Sequence, residues 1–268
     1  MESEPLANLE LPGGYHLYTF ETLPNTMDKA HELAKEGAAH GTLVLAQNQT
    51  EGRGRRGSVW VAPPGNLNLS VILRPEFLAA QLPFLSFALC VAMGHALLPF
   101  LPDQGMLAYK WPNDLLLDGK KVGGCLLEVE LGKSWTGQPA WVVGGVGLNM
   151  QHHPSDLPYP ATSLAEQSVV TDQASLLSRF CCELFELLSV LQAQGFSPIQ
   201  RAWMARSWGV GKRVRVTTNP GRFYEGVVQG VDGDGCLIVQ DDKFRKQRIA
   251  TGEVFFSDLR VAADRSAL

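Results

Sequence analysis

The sequence predicts an α+β protein made of a larger domain, in which helices and strands alternate, and a small all-β domain that follows it. Two observations support this division. Before Trp208, segments with helical periodicity alternate with short apolar runs that are typical of strands. After Lys212, the chain contains only short alternating segments, separated by the turn sequences NPG and DGDG. At roughly 55 residues, the second part is long enough for a minimal domain.

The first half of the larger domain contains a predicted helix, two strands and a second helix. Residues 25–37 begin with the capping pair Asn25 and Thr26 and end at Gly37, which predicts a helix. The apolar run at 41–49 and the alternating run at 66–75 predict two strands.

The second helix lies in a segment, residues 77–102, that contains no Asp, Glu, Lys or Arg, so a membrane span has to be considered. Three prolines shorten this segment, and Ser86, Gly94 and His95 interrupt it. We therefore expect a buried helix at residues 83–98, which begins with a proline at a favourable first position.

The second half of the larger domain adds further strands and a long helix. Residues 107–131 predict strands joined by a turn and by a hairpin at Asp118-Gly119, and residues 140–150 predict a buried strand. Thr171 or Asp172 caps the long helix. Its predicted apolar face consists of Leu176, Leu177, Phe180, Leu184, Phe185, Leu188 and Leu191. In the small domain, strands are predicted at 213–218, 222–231, 236–241 and 246–251.

The composition of the chain argues against some classes of function. The formal net charge of -4 argues against polyanion binding as the main function, and the basic residues of the small domain are nearly matched by acids. The chain has 5 cysteines without a C-x-x-C pair and an acidic N-terminus without an export signal. We therefore expect a cytoplasmic protein with reduced thiols and no membrane span.

Residues 49–60, QTEGRGRRGSVW, combine closely spaced glycines with three arginines. The G-x-G-x-x-G from Gly52 to Gly57 has the spacing with which dinucleotide-binding proteins hold a pyrophosphate. That interpretation also requires a helix at the last glycine, whereas two prolines and a glycine follow. We therefore expect the arginines to bind a carboxylate or phosphate, and residues 52–60, here called the arginine loop, to close over a ligand and become ordered with it. The alternative is a solvated basic turn.

Two further segments are candidates for binding. KWPNDLLLDGKKVGG, residues 110–124, places two lysines beside a Gly-Gly pair in a strand, where a ligand can approach the backbone. Its alternative is an ordinary turn at Pro112-Asn113-Asp114. GGVGLN, residues 144–149, ends in Asn149, a candidate adenine or metal contact; its alternative is a core strand with packing glycines.

Together these motifs resemble those of the biotin protein ligase family, also called biotin-[acetyl-CoA-carboxylase] ligases. The matching segments are GRGRRGSVW, KWPNDLLLDGKKVGG and GVGLN, with PNTMDKA before them and GEV at 252–254. The resemblance extends from Tyr18 to the C-terminus, and the joint occurrence of GRGRRG and KWPND makes it specific. It implies a mixed-sheet, class II synthetase-like biotin/lipoate ligase catalytic domain at 18–208 and an SH3-like β barrel at 209–262, flanked by tails at 1–17 and 263–268.

The resemblance implies a reaction in two steps. The carboxylate of biotin attacks the α-phosphate of ATP, supplied with Mg²⁺, to give biotinyl-5′-AMP and pyrophosphate. A lysine of the biotin carboxyl carrier protein of acetyl-CoA carboxylase then takes the biotinyl group and AMP leaves. Because carboxylate and triphosphate are both anions, the site has to neutralise them and exclude water from the adenylate.

The resemblance also implies roles for individual residues, with Arg55 and Lys121 as catalytic residues and Lys120 as a surface neighbour. The biotin site would comprise Asn25, Thr26, Met27, Gln49, Arg53, Gly54, Arg55 and Lys121. The ATP or adenylate site would comprise Arg53, Arg55, Arg56, Trp60, Lys110, Asn113 and Asn149, with Asp114 as the candidate Mg²⁺ ligand. Members of the family usually have serine where Asn25 stands here.

Two other functions stay open at this point. A lipoate or octanoate ligase or transferase shares the fold and the transfer of an acyl group to lysine, but would be expected to lack GRGRRG. A nucleic-acid-binding module is an alternative of another class, and it predicts a steep salt dependence of binding. Because few residues precede Tyr18, we expect no DNA-binding domain and no repressor function. The sequence does not determine the oligomeric state, and a homodimer is among the states considered.

Overall fold

The computed structural model describes residues 9, 11–75, 81–132, 139–219 and 222–256. The predicted NPG turn, the end of the small domain and both predicted tails lie wholly or partly outside these residues. In the larger domain the elements are β1 (His16–Leu23), α1 (Thr26–Lys35), β2 (Thr42–Gln49), β3 (Leu67–Leu73), α2 (Leu82–Leu97), β4 (Leu107–Lys110), β5 (Asp114–Leu117), β6 (Lys120–Leu131), β7 (Pro139–Leu148), α3 (Gln173–Gln194) and α4 (Ser197–Met204). In the small domain they are β8 (Arg213–Asn219), β9 (Arg222–Val231), β10 (Leu237–Gln240), β11 (Lys246–Ile249) and β12 (Glu253–Phe256).

The larger domain is built on a mixed 7-stranded sheet with the order β1-β2-β3-β7-β6-β5-β4. Strands β1 and β2 are parallel, and the other neighbours are antiparallel. Helix α1 packs on one face against β2, β3 and β7, whereas α2 packs on the other face and is covered by α3 and α4. The predicted α+β architecture with a mixed sheet is confirmed.

Local sequence signals explain how several elements begin and turn. Asn25 caps α1 because its Oδ1 accepts a hydrogen bond from Met27 N at 2.8 Å. Asp172, one of the two predicted candidates, caps α3 through a 2.8 Å bond from Ser175 N to its Oδ1. Asp118 and Gly119 both have positive φ angles, 47° and 74°, as the predicted two-residue hairpin turn requires.

The apolar helix is confirmed as a core element. The helical stretch Leu82–Phe100 is long and apolar enough to cross a membrane, but 72% of its most apolar window is buried inside the protein. Cys90 and Met93 are among its fully buried side chains. The charge-free stretch is therefore explained by burial on most of its surface.

Some elements were not predicted, and one residue was placed wrongly. The sequence patterns did not indicate strand β1, helix α4 or strand β12. Phe185 was assigned to the buried face of α3, but it is 47% exposed. The buried stripe of that helix runs through Cys181 and Leu184. Phe185 lies about 40° of helical rotation beyond Cys181, just outside the edge of this stripe.

The small domain is a 5-stranded antiparallel sheet with the order β11-β10-β9-β8-β12. It packs on the larger domain through α4 and through the turn between β4 and β5. Trp111 Nε1 donates to the carbonyl of Gly235 at 3.0 Å, and Gln200 Nε2 donates to the carbonyl of Val231 at 2.8 Å. These contacts place β12 beside the arginine loop.

Candidate functional site

A cavity of about 470 Å³ opens on the α1 face of the large sheet. Its walls come from the start of α1, the end of β2, the arginine loop, strands β3, β6 and β7, the β4–β5 turn, residues 157–159 and strand β12. Small-molecule binding sites are usually cavities of about 300–1,000 Å³, and this one falls within that range. The three segments singled out in the sequence therefore contribute to one site.

Two glycines of β7 form the floor of this cavity. A Cβ atom on Gly145 would lie 2.8 Å from Sδ of Met27, and one on Gly147 would overlap the indole ring of Trp60. Without side chains at these positions, Met27 and Trp60 lie directly on the strand. The glycines of GGVGLN are therefore packing glycines, and they also keep the cavity open.

The polar end of the cavity is an ordered hydrogen-bond chain. Ser70 Oγ donates to Thr26 Oγ1 at 2.8 Å, and Thr26 Oγ1 donates to Gln49 Oε1 at 3.1 Å. The backbone N–H of Thr26 also donates to Gln49 Oε1, at 2.8 Å. Because Gln49 Oε1 already accepts two hydrogen bonds, its amide N–H groups are the part of this side chain left to bind a ligand.

The opposite end of the cavity is cationic and is organised around one carboxylate. Lys121 Nζ lies 2.6 Å from Asp114 Oδ1, and Lys110 Nζ lies 4.0 Å from Asp114 Oδ2. The ammonium group of Lys121 also stands 5.9 Å from the ring centroid of Trp60 and 5.3 Å from that of Tyr159. Its aromatic neighbours and its carboxylate hold this ammonium in one place.

The pKa values of Lys110 and Lys121 are shifted in opposite directions. Burial lowers the pKa of Lys110, and the attraction to Asp114 opposes this effect only in part. Burial would lower the pKa of Lys121 as well, but the attraction and hydrogen bond of Asp114 outweigh it, so this pKa is raised. Lys121 is therefore held in its charged form. Lys120 points away, pairing with Glu166 at 3.3 Å, as predicted for a surface neighbour.

The arginine loop folds as a narrow hairpin over the cavity and contains no α-helix. Gly54 N donates to the carbonyl of Ser58 at 2.7 Å, and Trp60 N donates to the carbonyl of Gly52 at 2.9 Å. At the tip, Arg56 has a φ of 55°. The dinucleotide interpretation is therefore excluded by the absence of a helix after Gly57 in this described segment.

The three arginines of the loop have different surroundings. Arg53 lines the cavity, but its guanidinium bonds Asp28 at 2.7 Å and Glu128 at 3.2 Å. Arg55 also lines the cavity, and no described carboxylate lies within ion-pair distance of it; its Nη1 is 3.5 Å from the carbonyl of Gly252. Burial lowers the pKa of Arg55, although an arginine stays protonated in proteins.

The third arginine, Arg56, does not line the cavity. It is exposed and donates to the backbone carbonyls of Thr217, at 3.2 Å, and Thr218, both on β8. Its predicted place in the ATP site is therefore not supported by this geometry. Its contacts tie the tip of the arginine loop to the small domain.

Asp114, predicted as a magnesium ligand, does not fit that role in this arrangement. Its carboxylate is the counter-ion of Lys121 and faces Lys110 as well. Within the described ranges, no group of three or more His, Cys, Asp or Glu side chains could hold a metal ion. A divalent cation at Asp114 would have to displace a lysine that burial makes dependent on this carboxylate.

Asn113 and Asn149, both predicted for the ATP side, lie close to the cavity in different ways. Asn113 lines it, and its Nδ2 donates to the carbonyl of Cys125. Asn149 is buried and lines a neighbouring cavity of about 30 Å³. Its Nδ2 donates to Thr162 O at 3.0 Å, while its Oδ1 has no partner among the described residues.

Sequence reasoning missed several residues of the site. Tyr159 lines both cavities from an irregular segment without a motif. Asn68 lines the main cavity from β3; its Nδ2 donates to Ala46 O at 3.4 Å, and its Oδ1 has no partner among the described residues. The alternation of β3 could have indicated Asn68, because it is a polar residue on the same strand face as Ser70.

Comparisons with known proteins show the family of the chain. Residues 19–149 match the model of the biotin/lipoate A/B protein ligase family, and residues 209–257 match that of the biotin protein ligase C-terminal domain. The chain is similar to the biotin–[acetyl-CoA-carboxylase] ligase of Paracoccus denitrificans, with 34% identity over 82% of this chain and 92% of that protein. It is 33% identical to the bifunctional ligase/repressor of Bacillus subtilis over 86% of this chain and 71% of that protein.

The fold is also found in solved structures. The biotin protein ligase of Aquifex aeolicus, solved in complex with biotin and ATP, superimposes with a TM-score of 0.75 and 24% identity. The superposition covers 90% of this chain and 97% of that one. With relatives above 30% identity that are matched over most of their length, and with both family models in the expected order, the chain belongs to the biotin protein ligase family.

Proposed function

We propose that this chain is an ATP-dependent ligase that activates biotin as biotinyl-5′-AMP and transfers biotin to a lysine of a biotin carboxyl carrier protein. The observation that carries this proposal is a single cavity with two different ends. One end has Thr26, Met27 and Gln49, and the other has Arg55 and Lys121. Such a cavity can hold an uncharged ring system at one end and a carboxylate beside a phosphate at the other.

In the first step, a carboxylate oxygen of biotin forms a bond to the α-phosphorus of ATP, and the bond from that phosphorus to pyrophosphate breaks. Lys121 and Arg55 neutralise the two anions that have to meet. The position of Lys121 is already set by Asp114, so little reorganisation is needed during the reaction. Positioning and charge stabilisation therefore supply the rate.

We place the nucleotide base in the main cavity beside Trp60 and Tyr159, next to the small adjoining cavity that Asn149 lines. Two aromatic rings offer stacking surfaces. Trp60 Nε1 and Asn149 Oδ1 are buried polar atoms without a partner among the described residues. A purine with ring nitrogens and an amino group can bond both of them.

In the second step, the deprotonated amine of the acceptor lysine attacks the acyl carbon of the adenylate. The bond to the phosphate oxygen breaks, AMP leaves with the electron pair, and the amine releases a proton. Until then the adenylate has to be kept from water. The arginine loop covers the cavity and is suited to that task.

In this proposal ATP binds together with Mg²⁺, which would neutralise part of the charge of the triphosphate. We assign no described side chain as its ligand, because Asp114 is paired with Lys121.

The support for this function over the alternatives comes from particular residues. In the small domain, arginines pair with carboxylates, including Arg213 with Asp242 at 2.6 Å and Arg215 with Glu225 at 2.7 Å. A surface neutralised in this way is poorly suited to nucleic acid.

The described cysteines are unpaired, as expected in a reducing compartment, and we place the protein in the cytoplasm.

The test is mass spectrometry of a biotin carboxyl carrier domain after incubation with this protein, Mg²⁺, ATP and biotin. We expect one lysine to gain one biotinyl group, and no modification when lipoate or octanoate replaces biotin. Modification by lipoate but not by biotin would show that the chain is the alternative ligase of the same fold.

A further inference from the structure

Arg53 occupies a position that its sequence motif does not explain. It lies in the arginine loop, yet its guanidinium turns toward two carboxylates of the protein. Its Nη1 bonds Asp28 Oδ2 and its Nη2 bonds Asp28 Oδ1, both at 2.7 Å. The same Nη2 lies 3.2 Å from both carboxylate oxygens of Glu128. The donors of one guanidinium are thus largely used within the protein.

The two carboxylates are neighbours on different elements next to the cavity, and one nitrogen of Arg53 contacts both of them. Asp28 is in the first turn of α1, next to Met27, which lies on the cavity floor. Glu128 is on β6, two residues beyond Leu126, which lines the cavity. Arg53 therefore ties the arginine loop to α1 and to β6 at the edge of the cavity.

Glu128 is itself held in orientation from behind. Trp141 Nε1 donates to His31 Nδ1 at 3.0 Å, which makes that ring nitrogen an acceptor. The neutral ring then carries its hydrogen on Nε2, which lies 3.2 Å from Glu128 Oε2 and donates to it. The position of Glu128 does not depend on Arg53 alone.

We propose that Asp28, Arg53 and Glu128 form a clasp that holds the arginine loop closed over the biotin end of the cavity, with Asp28 and Glu128 as positioning residues. This inference rests on the proposed function. In it, Arg53 does not neutralise the substrate, because two carboxylates already surround its charge. The guanidinium bonds Asp28 with two parallel N–H groups, a geometry that lysine cannot reproduce.

The clasp predicts a particular kinetic signature. The side chains of Arg53, Asp28 and Glu128 are 39%, 59% and 32% exposed. Each bond therefore contributes modestly to holding the loop closed, and the network acts as a unit. Opening the clasp leaves the strand side of the reacting end, where Asp114 positions Lys121, unchanged. Escape of the adenylate should therefore become faster while its formation at saturating biotin and ATP stays nearly the same.

The experiment measures the dissociation rate of preformed biotinyl-5′-AMP and, separately, the rate of pyrophosphate release at saturating substrates. We expect Asp28→Asn and Glu128→Gln each to speed dissociation by about 3- to 10-fold and to change pyrophosphate release by less than about 2-fold. Glu32→Gln is the matched control, because Glu32 is on the same helix and pairs only with Lys29 at 2.8 Å among the described residues. It should leave both rates unchanged.

A charge reversal tests the pairing itself. Arg53→Asp should release the adenylate faster, and Arg53→Asp combined with Asp28→Arg should recover at least part of the slow release. The clasp would be refuted if Arg53→Lys lost the adenylate while Asp28→Asn and Glu128→Gln retained it like the wild type, since Arg53 would then contact the ligand directly. A wild-type protein that forms no adenylate from biotin and ATP would instead overturn the proposed function.

Discussion

The cavity has cations on two opposite sides, and the two sides differ in how those cations are held. On the strand side, Lys110 and Lys121 share the partly buried carboxylate of Asp114. On the loop side, the arginines contact separate elements. Arg53 contacts α1 and β6, and Arg56 contacts β8.

This difference separates two tasks. A cation held on a strand by a partly buried carboxylate is already in position before substrates bind, which suits charge stabilisation in the reaction. The loop is attached by several surface contacts, and these contacts can break and form again together. The cations on the loop move with it. We therefore assign the preset charge stabilisation to the strand side, and to the loop side the retention of the intermediate together with the charge that Arg55 adds.

The largest effect should come from the strand side. Lys121→Ala removes the cation that faces the reacting groups and leaves the partly buried Asp114 without its nearest partner. We expect the rate of pyrophosphate release to fall by about 100- to 1,000-fold. Lys120→Ala is the control, because that exposed neighbour pairs with Glu166, and it should stay within about 2-fold of the wild type. Equal rates for the two variants would remove Lys121 from the reaction.

The next largest effect should come from the loop side. Arg55→Ala removes the arginine that lines the cavity without a described carboxylate partner. We expect biotinyl-5′-AMP to leave about 10- to 100-fold faster and to modify lysines of bystander proteins in solution. The measurement is free adenylate by chromatography together with biotin labelling of an added non-acceptor protein. Adenylate retention equal to the wild type would contradict the division of tasks.

The two sides meet where Trp60 lies on the floor strand, and this contact offers a third test. Gly147→Ala puts a methyl group where the indole ring now packs, so Trp60 has to move. We expect the affinity for ATP to fall by about 10-fold with a smaller change for biotin, measured by calorimetry. Gly233→Ala is the control, because a Cβ there meets nothing within 4 Å. If ATP affinity did not change in Gly147→Ala, Trp60 would have no place in the nucleotide site.

The smallest effect should come from the tip of the arginine loop. Arg56→Ala removes hydrogen bonds to two exposed carbonyls of β8 and touches no atom that lines the cavity. We expect adenylate dissociation to rise by only about 2- to 5-fold, because the remaining attachments still hold the loop. A loss as large as that of Arg55→Ala would mean that the small domain controls closure.

The sequence predicted most elements of the fold because their signals are local. The N-cap of α1, the Asp118-Gly119 turn and the apolar pattern of α2 each depend on neighbouring residues. Strand β1 and helix α4 were missed, since β1 is an edge strand with mixed burial and α4 is short. Phe185 was misplaced because a periodic pattern does not show where the edge of a buried face lies.

The sequence by itself determined the family and the two sides of the cavity, since GRGRRG and KWPNDLLLDGKKVGG are contiguous motifs whose residue types state their chemistry. Only the tertiary structure decided which of the cations has a protein carboxylate as partner. Asp28 and Glu128 are far from Arg53 in the chain, and Tyr159 reaches Lys121 from an irregular segment. Electrostatic interactions depend on distance in space, so an arginine that binds a ligand and one that binds its own protein look alike in a sequence.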